Sequence, residues 1–217
     1  MPLTLPLFRH AASTLALCLA AGLCAAQGSA GPATATAAAA PPNVRLRGVV
    51  ESVTSNMLTI KERSGEVIPL VLSEKLVVNE VYPMALADVK AGSYIGTAAM
   101  PQPDGTLRAI AVTVFPETAR GVAEGFYPFD LRPESTMTNA TVADVVAAPT
   151  GRTLQVKYKD GAKTIMVPTD APVVSFRPGD RSLLVPGASV SLTAQAIDGK
   201  PTAVRVNAGR DGFPLPY

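Results

Sequence analysis

The chain from residue 44 onwards carries the same succession of short strand patterns twice, at a spacing of about 95 residues. The first copy opens with residues 47–53 and the second with residues 139–145, and in both segments apolar and polar side chains alternate. Alternation with a period of two is typical of a strand that buries one face. Helical periodicity is absent from both copies, so the sequence predicts an all-β protein built by duplication.

Turn signals recur in the same order in both copies. A Ser-Gly or Asp-Gly pair predicts a tight hairpin between the second and third strands, because glycine tolerates the positive φ of such turns. A glycine-closed helical turn then precedes the fourth strand, and an Asp-Gly hairpin precedes the fifth. The paired landmarks are Ser64-Gly65 with Asp160-Gly161, 86–92 with 181–187, and Asp104-Gly105 with Asp198-Gly199.

Five short strands with a small helical element between the third and fourth match the OB-fold, a partly open Greek-key barrel. A six-stranded or split barrel fits nearly as well. Closure into a barrel buries one face of each strand and leaves few unpaired edges. The sequence therefore predicts two tandem OB-like five-stranded (or split) barrels, residues 43–116 and 137–210, joined by a connector of residues 117–136 and followed by a tail of residues 211–217.

The N-terminus reads as a secretion signal of residues 1–26. Arg9 and His10 precede an apolar run at 11–21 that is too short to span a bilayer and is followed by small residues, so cleavage is expected after Ala26 or Ala30. An uncleaved anchor, or a lipoprotein attached through Cys24, is the alternative, although Leu23 is large for a lipidation site. Residues 27–42 are rich in alanine and proline and predict a disordered spacer. The expected location is the periplasm or the medium.

Both cysteines and the single histidine fall within this signal. The exported part therefore lacks the side chains used in Ser/His and Cys/His catalysis and in most transition-metal sites. Carboxylates remain, but no spacing singles out a pair for glycoside hydrolysis. The sequence predicts a protein that is not an enzyme, with no cofactor and no metal, and leaves a hydrolase that uses carboxylates only as an alternative.

Charge argues against two classes of partner. Loss of Arg9 with the signal leaves 18 basic residues against 17 acidic ones, so no net field attracts nucleic acid or anionic lipid. No further stretch approaches a membrane span, and we expect no stable membrane insertion after cleavage. OB barrels that bind nucleic acid use basic and aromatic side chains on strands two and three. The second copy offers such a face, a secondary candidate site, in Lys157, Tyr158, Lys159 and Lys163.

The connector is richer in aromatic residues than a linker needs to be. It contains Phe126, Tyr127 and Phe129, accompanied by Asp130 and Arg132. One interpretation is that the rings pack the two barrels together. The other is that these five residues form a binding site at the domain interface, where sites are frequent.

The repeat and its connector resemble a family of exported proteobacterial proteins of unknown function built from OB-like repeats. The resemblance covers roughly residues 44 to 210 and is most specific at 100–109, 115–117, 120–121 and 135–141. Relatives are sometimes labelled metal transporter permeases, which a chain with one cleavable apolar segment does not fit. The family has a His and a Trp where this chain has Phe126 and Phe129, a departure that disfavours a metal role.

Together these features favour a non-enzymatic periplasmic binding or scaffold module that recognises an envelope component, peptide or protein. The alternative is a small-ligand or metal-responsive accessory protein. A carboxylate-only hydrolase and a nucleic-acid binder are the remaining alternatives.

Overall fold

The computed structural model describes residues 42–217, which form twelve β-strands and three short 3₁₀ helices, so the all-β prediction is confirmed. The predicted signal peptide and most of the spacer lie outside the described residues. Within residues 42–217 we find no helix of the length and hydrophobicity that a membrane crossing requires.

The strands are β1 (Val44–Val53), β2 (Met57–Glu62), β3 (Val67–Pro83), β4 (Tyr94–Pro101), β5 (Leu107–Val114), β6 (Gly125–Pro128), β7 (Thr136–Ala148), β8 (Gly151–Tyr158), β9 (Gly161–Pro168), β10 (Val173–Pro178), β11 (Ser189–Ile197) and β12 (Lys200–Gly209), and the 3₁₀ helices are Leu86–Asp88, Glu117–Ala119 and Arg181–Leu183.

The predicted hairpins are present. Antiparallel pairing joins β2 to β3 around Ser64-Gly65 and β8 to β9 around Asp160-Gly161. Gly65 has the expected positive φ, but Gly161 does not. Gly161 instead opens β9, where an added Cβ would lie 3.0 Å from the Tyr158 hydroxyl oxygen. Glycine at position 161 therefore avoids a close contact with the Tyr158 side chain, and it is not needed for a positive φ in the turn.

One barrel closes from the two ends of the described chain, and we call it the terminal barrel. Strand β1 pairs with β2, β2 with β3, β12 with β11 and β11 with β1, all antiparallel, and β3 pairs in parallel with β12. Its interior holds the fully buried side chains of Leu58, Ile60 and Leu70. Leu183 and Leu184, from the 3₁₀ helix before β11, complete this core.

The middle of the chain closes a second circuit, the central barrel. Strands β4, β5, β7, β8 and β9 pair in the order β4-β5-β9-β8-β7, and β7 pairs with β4 to complete the circuit. The β5–β9 pair is the parallel one. Ile95, Leu154 and Ile165 are fully buried inside, and Val89, which follows the first 3₁₀ helix, packs with them.

This pairing departs from the predicted boundaries 43–116 and 137–210. The terminal barrel contains the first three strands of the first copy and the last two of the second. The central barrel contains the first three strands of the second copy and the last two of the first. The reason is the length of β3, which runs without a break from Val67 to Pro83. At about 3.3 Å per residue its 17 residues extend over more than 50 Å, which carries the chain out of the terminal barrel before β4 begins.

The two copies meet where the second half of β3 pairs with β10. The register sets Val81 opposite Phe176, with Asn79 opposite Pro178 and Pro83 opposite Val174. Val81 and Phe176 are about 95 residues apart, which is the spacing of the repeat. The register is therefore symmetric about this one pair, in which residues at the repeat spacing face each other.

The segment predicted only as a tail, residues 211–217, packs on this junction. Phe213, Leu215 and Tyr217 contact a cluster that contains Val81 and Val174. The Tyr217 hydroxyl hydrogen-bonds the hydroxyl of Thr113 on β5, and burial raises the pKa of Tyr217.

A carboxylate ties the junction together. Glu80 on β3 is 5% exposed and accepts hydrogen bonds from Arg177 at 2.7 Å and Arg210 at 2.9 Å. Because both guanidinium groups favour the charged form, the pKa of Glu80 falls from 4.5 to about 2. This ion pair joins β3, β10 and the end of β12.

The strand exchange predicts that neither half of the chain folds alone. Fragments 42–116 and 117–217 should each lack a cooperative thermal transition, because each would leave both barrels incomplete, whereas an equimolar mixture should regain one. Circular dichroism of each fragment and of the mixture measures this. A fragment 42–116 that unfolds cooperatively as a monomer would show that it closes its own barrel and would contradict the exchanged pairing.

The second prediction concerns acid stability. The folded-state pKa of Glu80 lies below its ordinary value, so its contribution is fully present above about pH 4.5 and is lost as the pH falls towards 2. Glu80→Gln should therefore lower the melting temperature most near neutral pH, and the gap to wild type should shrink steadily below about pH 5. Glu74→Gln, at an exposed carboxylate on the same strand, is the matched control. A gap for Glu80→Gln that stays constant down to about pH 2 would refute the ion-pair role.

Candidate functional site

The first half of the connector is fixed to the central barrel. Arg120 donates to the Gly92 carbonyl at 2.9 Å and forms an ion pair with Glu117. The Val122 carbonyl accepts hydrogen bonds from the Tyr94 hydroxyl at 3.0 Å and from Asn139 Nδ2 at 3.1 Å. Burial raises the pKa of Tyr94 to about 12, so the phenol remains a donor across the accessible pH range. The connector is thus a fixed part of the fold.

The aromatic residues of the connector begin in a short strand. Strand β6 pairs only with β7 among the described strands, and its register sets Phe126 opposite Thr138 and Tyr127 opposite Met137. Since side chains alternate along a strand, Phe126 and Tyr127 point to opposite faces. Two of the predicted site residues are therefore separated by the strand itself.

Phe129 and Asp130 bind the connector to the terminal barrel. Both terminal nitrogens of Arg47 on β1 donate to the Asp130 carboxylate, at 3.0 and 2.6 Å, and this lowers the pKa of Asp130. The guanidinium carbons of Arg47 and Arg45 lie 5.3 and 5.7 Å from the centre of the Phe129 ring. Only 10% of the Arg47 side chain is exposed, so Asp130 compensates a buried charge. This part of the connector supports the interpretation that it packs the barrels together.

Phe126 has different surroundings. Its side chain is 38% exposed, and the Lys163 ammonium nitrogen lies 4.2 Å from the ring centre, a cation–π contact. The Lys159 amide donates to the Glu124 carboxylate at 3.0 Å, so the end of the β8–β9 hairpin lies against β6. The structure thus brings Phe126 together with Lys163 and Lys159, two residues of the face that the sequence treats as a separate candidate. The other two do not join them, because Lys157 points to the opposite face of the hairpin from Lys163 and Tyr158 packs against the core of the central barrel. We call Phe126, Lys159, Lys163 and Glu124 the connector patch.

Tyr127 and Arg132 lie apart from this patch. Tyr127 is half-buried on the opposite face of β6, and burial raises its pKa. Arg132 lines a cavity of about 210 Å³ together with Arg108 and Asp170. The five predicted binding residues do not form one site: Phe129 and Asp130 link the barrels, Phe126 is an exposed ring, Tyr127 is half-buried on the opposite face of β6, and Arg132 lines the cavity.

Sequence reasoning missed an apolar recess at one end of the terminal barrel. It measures about 350 Å³, and its wall contains Leu46, Ile68, Leu70 and Ala194. Val44 and Ala196 lie at the rim. The only sequence signal was the run of inward-facing apolar positions at the start of β1, which does not distinguish an open barrel end from a closed one.

Metal-ligating side chains do not converge in the part of the chain that the structure describes. No group of three or more His, Cys, Asp or Glu residues within 42–217 is arranged to hold a metal ion. Three carboxylates are paired with arginine: Glu80 joins β3 to β10, Asp130 joins the connector to β1, and Glu117 pairs with Arg120 within the connector. These positions carry structural ion pairs.

Comparison with models of protein families, with characterised proteins and with solved structures gave no match. The resemblance to exported proteobacterial proteins therefore stays a prediction. The evidence for function is the geometry of the connector and of the two recesses.

Proposed function

We propose that this chain is an exported, non-enzymatic binding or scaffold module that recognises an envelope protein or peptide through the connector patch. The observation that carries the proposal is the exposed ring of Phe126 beneath Lys163 on a rigidly held strand. Aromatic residues on a fixed backbone lose little conformational entropy on binding and commonly act as anchors at interfaces.

The free edge of β6 offers a way to bind an extended peptide. The Phe129 amide donates to the Ser135 carbonyl at 2.8 Å, so the odd-numbered residues of this segment face β7. The N–H and C=O of Phe126 and the C=O of Pro128 then point away from β7, towards a side on which β6 has no partner among the described strands. A partner segment could add there as a strand, with Phe126 supplying a side-chain contact.

Charge favours an acidic partner. The connector patch carries Lys159 and Lys163 against Glu124, and the hairpin beside it adds Lys157 and Asp160, which leaves one net positive charge. Lys157 and Lys159 are exposed, so their ammonium groups can attract an acidic segment. The patch is therefore suited to an extended acidic peptide with an apolar side chain.

We also propose that the two copies are OB-like repeats that exchange their last two strands. In each barrel the strands follow the order 1-2-3-5-4, with the third and fifth parallel, and a 3₁₀ helix precedes the fourth. This topology supports the OB-like prediction. Signal-directed export and the family resemblance are further parts of the proposal, and they rest on the sequence alone.

Truncation of two rings should separate recognition from packing. Phe126→Ala should leave the free energy of unfolding within about 0.5 kcal/mol of wild type, because the ring is exposed, but should abolish capture of an envelope partner by the immobilised protein. Phe129→Ala should lower the free energy of unfolding by about 1–3 kcal/mol, because it removes a half-buried ring and its contacts with two arginines. Thermal melts and quantified pull-downs from an envelope fraction measure both effects.

Val185→Ala is the matched control, since this exposed valine lies in the terminal barrel away from the connector. It should change neither stability nor capture. If Phe126→Ala and Val185→Ala retain the same captured proteins in equal amounts, the connector patch is not the recognition site.

The apolar recess of the terminal barrel favours the alternative of a small-ligand accessory protein. Its volume of about 350 Å³ lies at the lower end of the range of small-molecule sites, and its walls are apolar. A neutral aliphatic molecule is the chemical class that fits such walls.

A neutral probe, 1-octanol, tests this alternative. Its binding should raise the melting temperature by mass action, and Ala196→Phe, which fills the recess, should abolish the rise. Ala147→Phe, at an exposed alanine of β7, should leave it unchanged. A rise that survives Ala196→Phe would place the probe elsewhere and remove the support for this alternative.

A further inference from the structure

The central barrel has a gap in its sheet. On the side of β5 that pairs in parallel, β9 reaches only residues 107–108, and β10 begins pairing at Val112. Residues 109–111 have no strand partner on that side. Strand β9 ends at Pro168 and the chain loops through 169–172 before β10, because proline cannot donate to a strand ladder. The equivalent β3–β12 pair of the terminal barrel is also interrupted, between Ala203 and Arg205, but there only Val204 of β12 lacks a partner on β3.

A cavity of about 210 Å³ lies at this gap. Its walls come from β4, β5, the connector and the loop after β9, and they comprise Met100, Arg108, Ala109, Ile110, Arg132, Pro168, Asp170 and Ala171. Within residues 42–217 the guanidinium groups of Arg108 and Arg132 make no hydrogen bond and no ion pair. By contrast, Arg47, Arg120 and Arg177 are each paired with a carboxylate. The two cavity arginines are therefore free to bind a ligand.

The backbone that carries Arg132 is fixed. The Ser135 hydroxyl accepts a hydrogen bond from the Arg132 amide at 3.0 Å and lies 2.8 Å from the carbonyls of Phe129 and Arg132. Ser135 is 2% exposed, so this turn is anchored in the protein. Arg108 is fixed by its place in β5. A ligand would therefore order only the two side chains, not the backbone, which reduces the entropic cost of binding.

We infer that Arg108 and Arg132 form a binding site for an oxyanion, the carboxylate or phosphoryl group of a small ligand, in the gap between β9 and β10. The planar guanidinium group matches both oxyanions, because it donates two parallel hydrogen bonds. Asp170 opposes the anion, so the cavity carries two positive charges against one negative. The volume suits a compact ligand or the end of a larger one. The site is separate from the connector patch and does not depend on the proposed function.

Binding of inorganic phosphate and of succinate to the full exported chain tests this site. At constant ionic strength set with chloride, NMR titration should show saturable shifts of the amides of residues 109–111 with at least one of the two probes. Arg108→Gln and Arg132→Gln should each weaken that binding about tenfold or more, because each removes a charge-assisted hydrogen-bond donor. Saturation by phosphate alone identifies a phosphoryl ligand, and saturation by succinate alone a carboxylate ligand.

Two further variants separate a specific site from general charge effects. Arg63→Gln removes an exposed arginine of the terminal barrel and should leave the affinity unchanged, whereas Asp170→Asn removes the opposing charge and should raise it. The inference is overturned if neither probe gives saturable shifts at residues 109–111 of the wild type. It is also overturned if Arg63→Gln weakens binding as much as the cavity variants do. The wild-type shifts keep the test decisive even if a cavity variant fails to fold.

Discussion

The pairing of β3 with β10 is the interaction on which the rest of the structure depends. It joins equivalent segments of the two copies around Val81 and Phe176, and Glu80 reinforces it through Arg177 and Arg210. On either side of it, each copy passes its last two strands to the other barrel. Neither barrel is complete without strands from both copies, and the junction fixes the point at which the strands cross over. The strand arrangement thus resembles that of a symmetric dimer with exchanged strands.

The local elements could be predicted from the sequence, whereas the strand exchange could not. Glycine at Ser64-Gly65 and at Asp198-Gly199 specifies turns through its own backbone preferences, and alternation within a strand shows which face is buried. Whether β3 ends at Leu72 or continues to Pro83 decides which barrel receives β4. The residues in between favour a strand under either topology. That choice depends on pairing with β10 and with the tail, partners about 95 or more residues away.

In the candidate site too, local features could be predicted from the sequence, whereas contacts with distant residues could not. Aromatic density correctly marked the connector as more than a flexible linker, but the role of each ring depends on a distant partner. Arg47 engages Asp130 and the Phe129 ring across 83 residues, and Lys163 covers Phe126 from the neighbouring hairpin. No spacing within the connector distinguishes the half-buried ring from the exposed one. The cavity beside Arg132 required knowledge of where β9 ends and β10 begins.

The connector occupies a particular place in this architecture. It belongs to neither copy, yet it pairs with the central barrel through β6 and binds the terminal barrel through Asp130. The turn from Phe129 to Ser135 lies between the two candidate surfaces, with the Phe126 ring on one side and Arg132 on the other. Because both barrels hold this segment, its side chains are presented by a rigid frame that strand exchange makes cooperative. The two barrels therefore supply a fixed support, and the connector presents Phe126 and Arg132 from it.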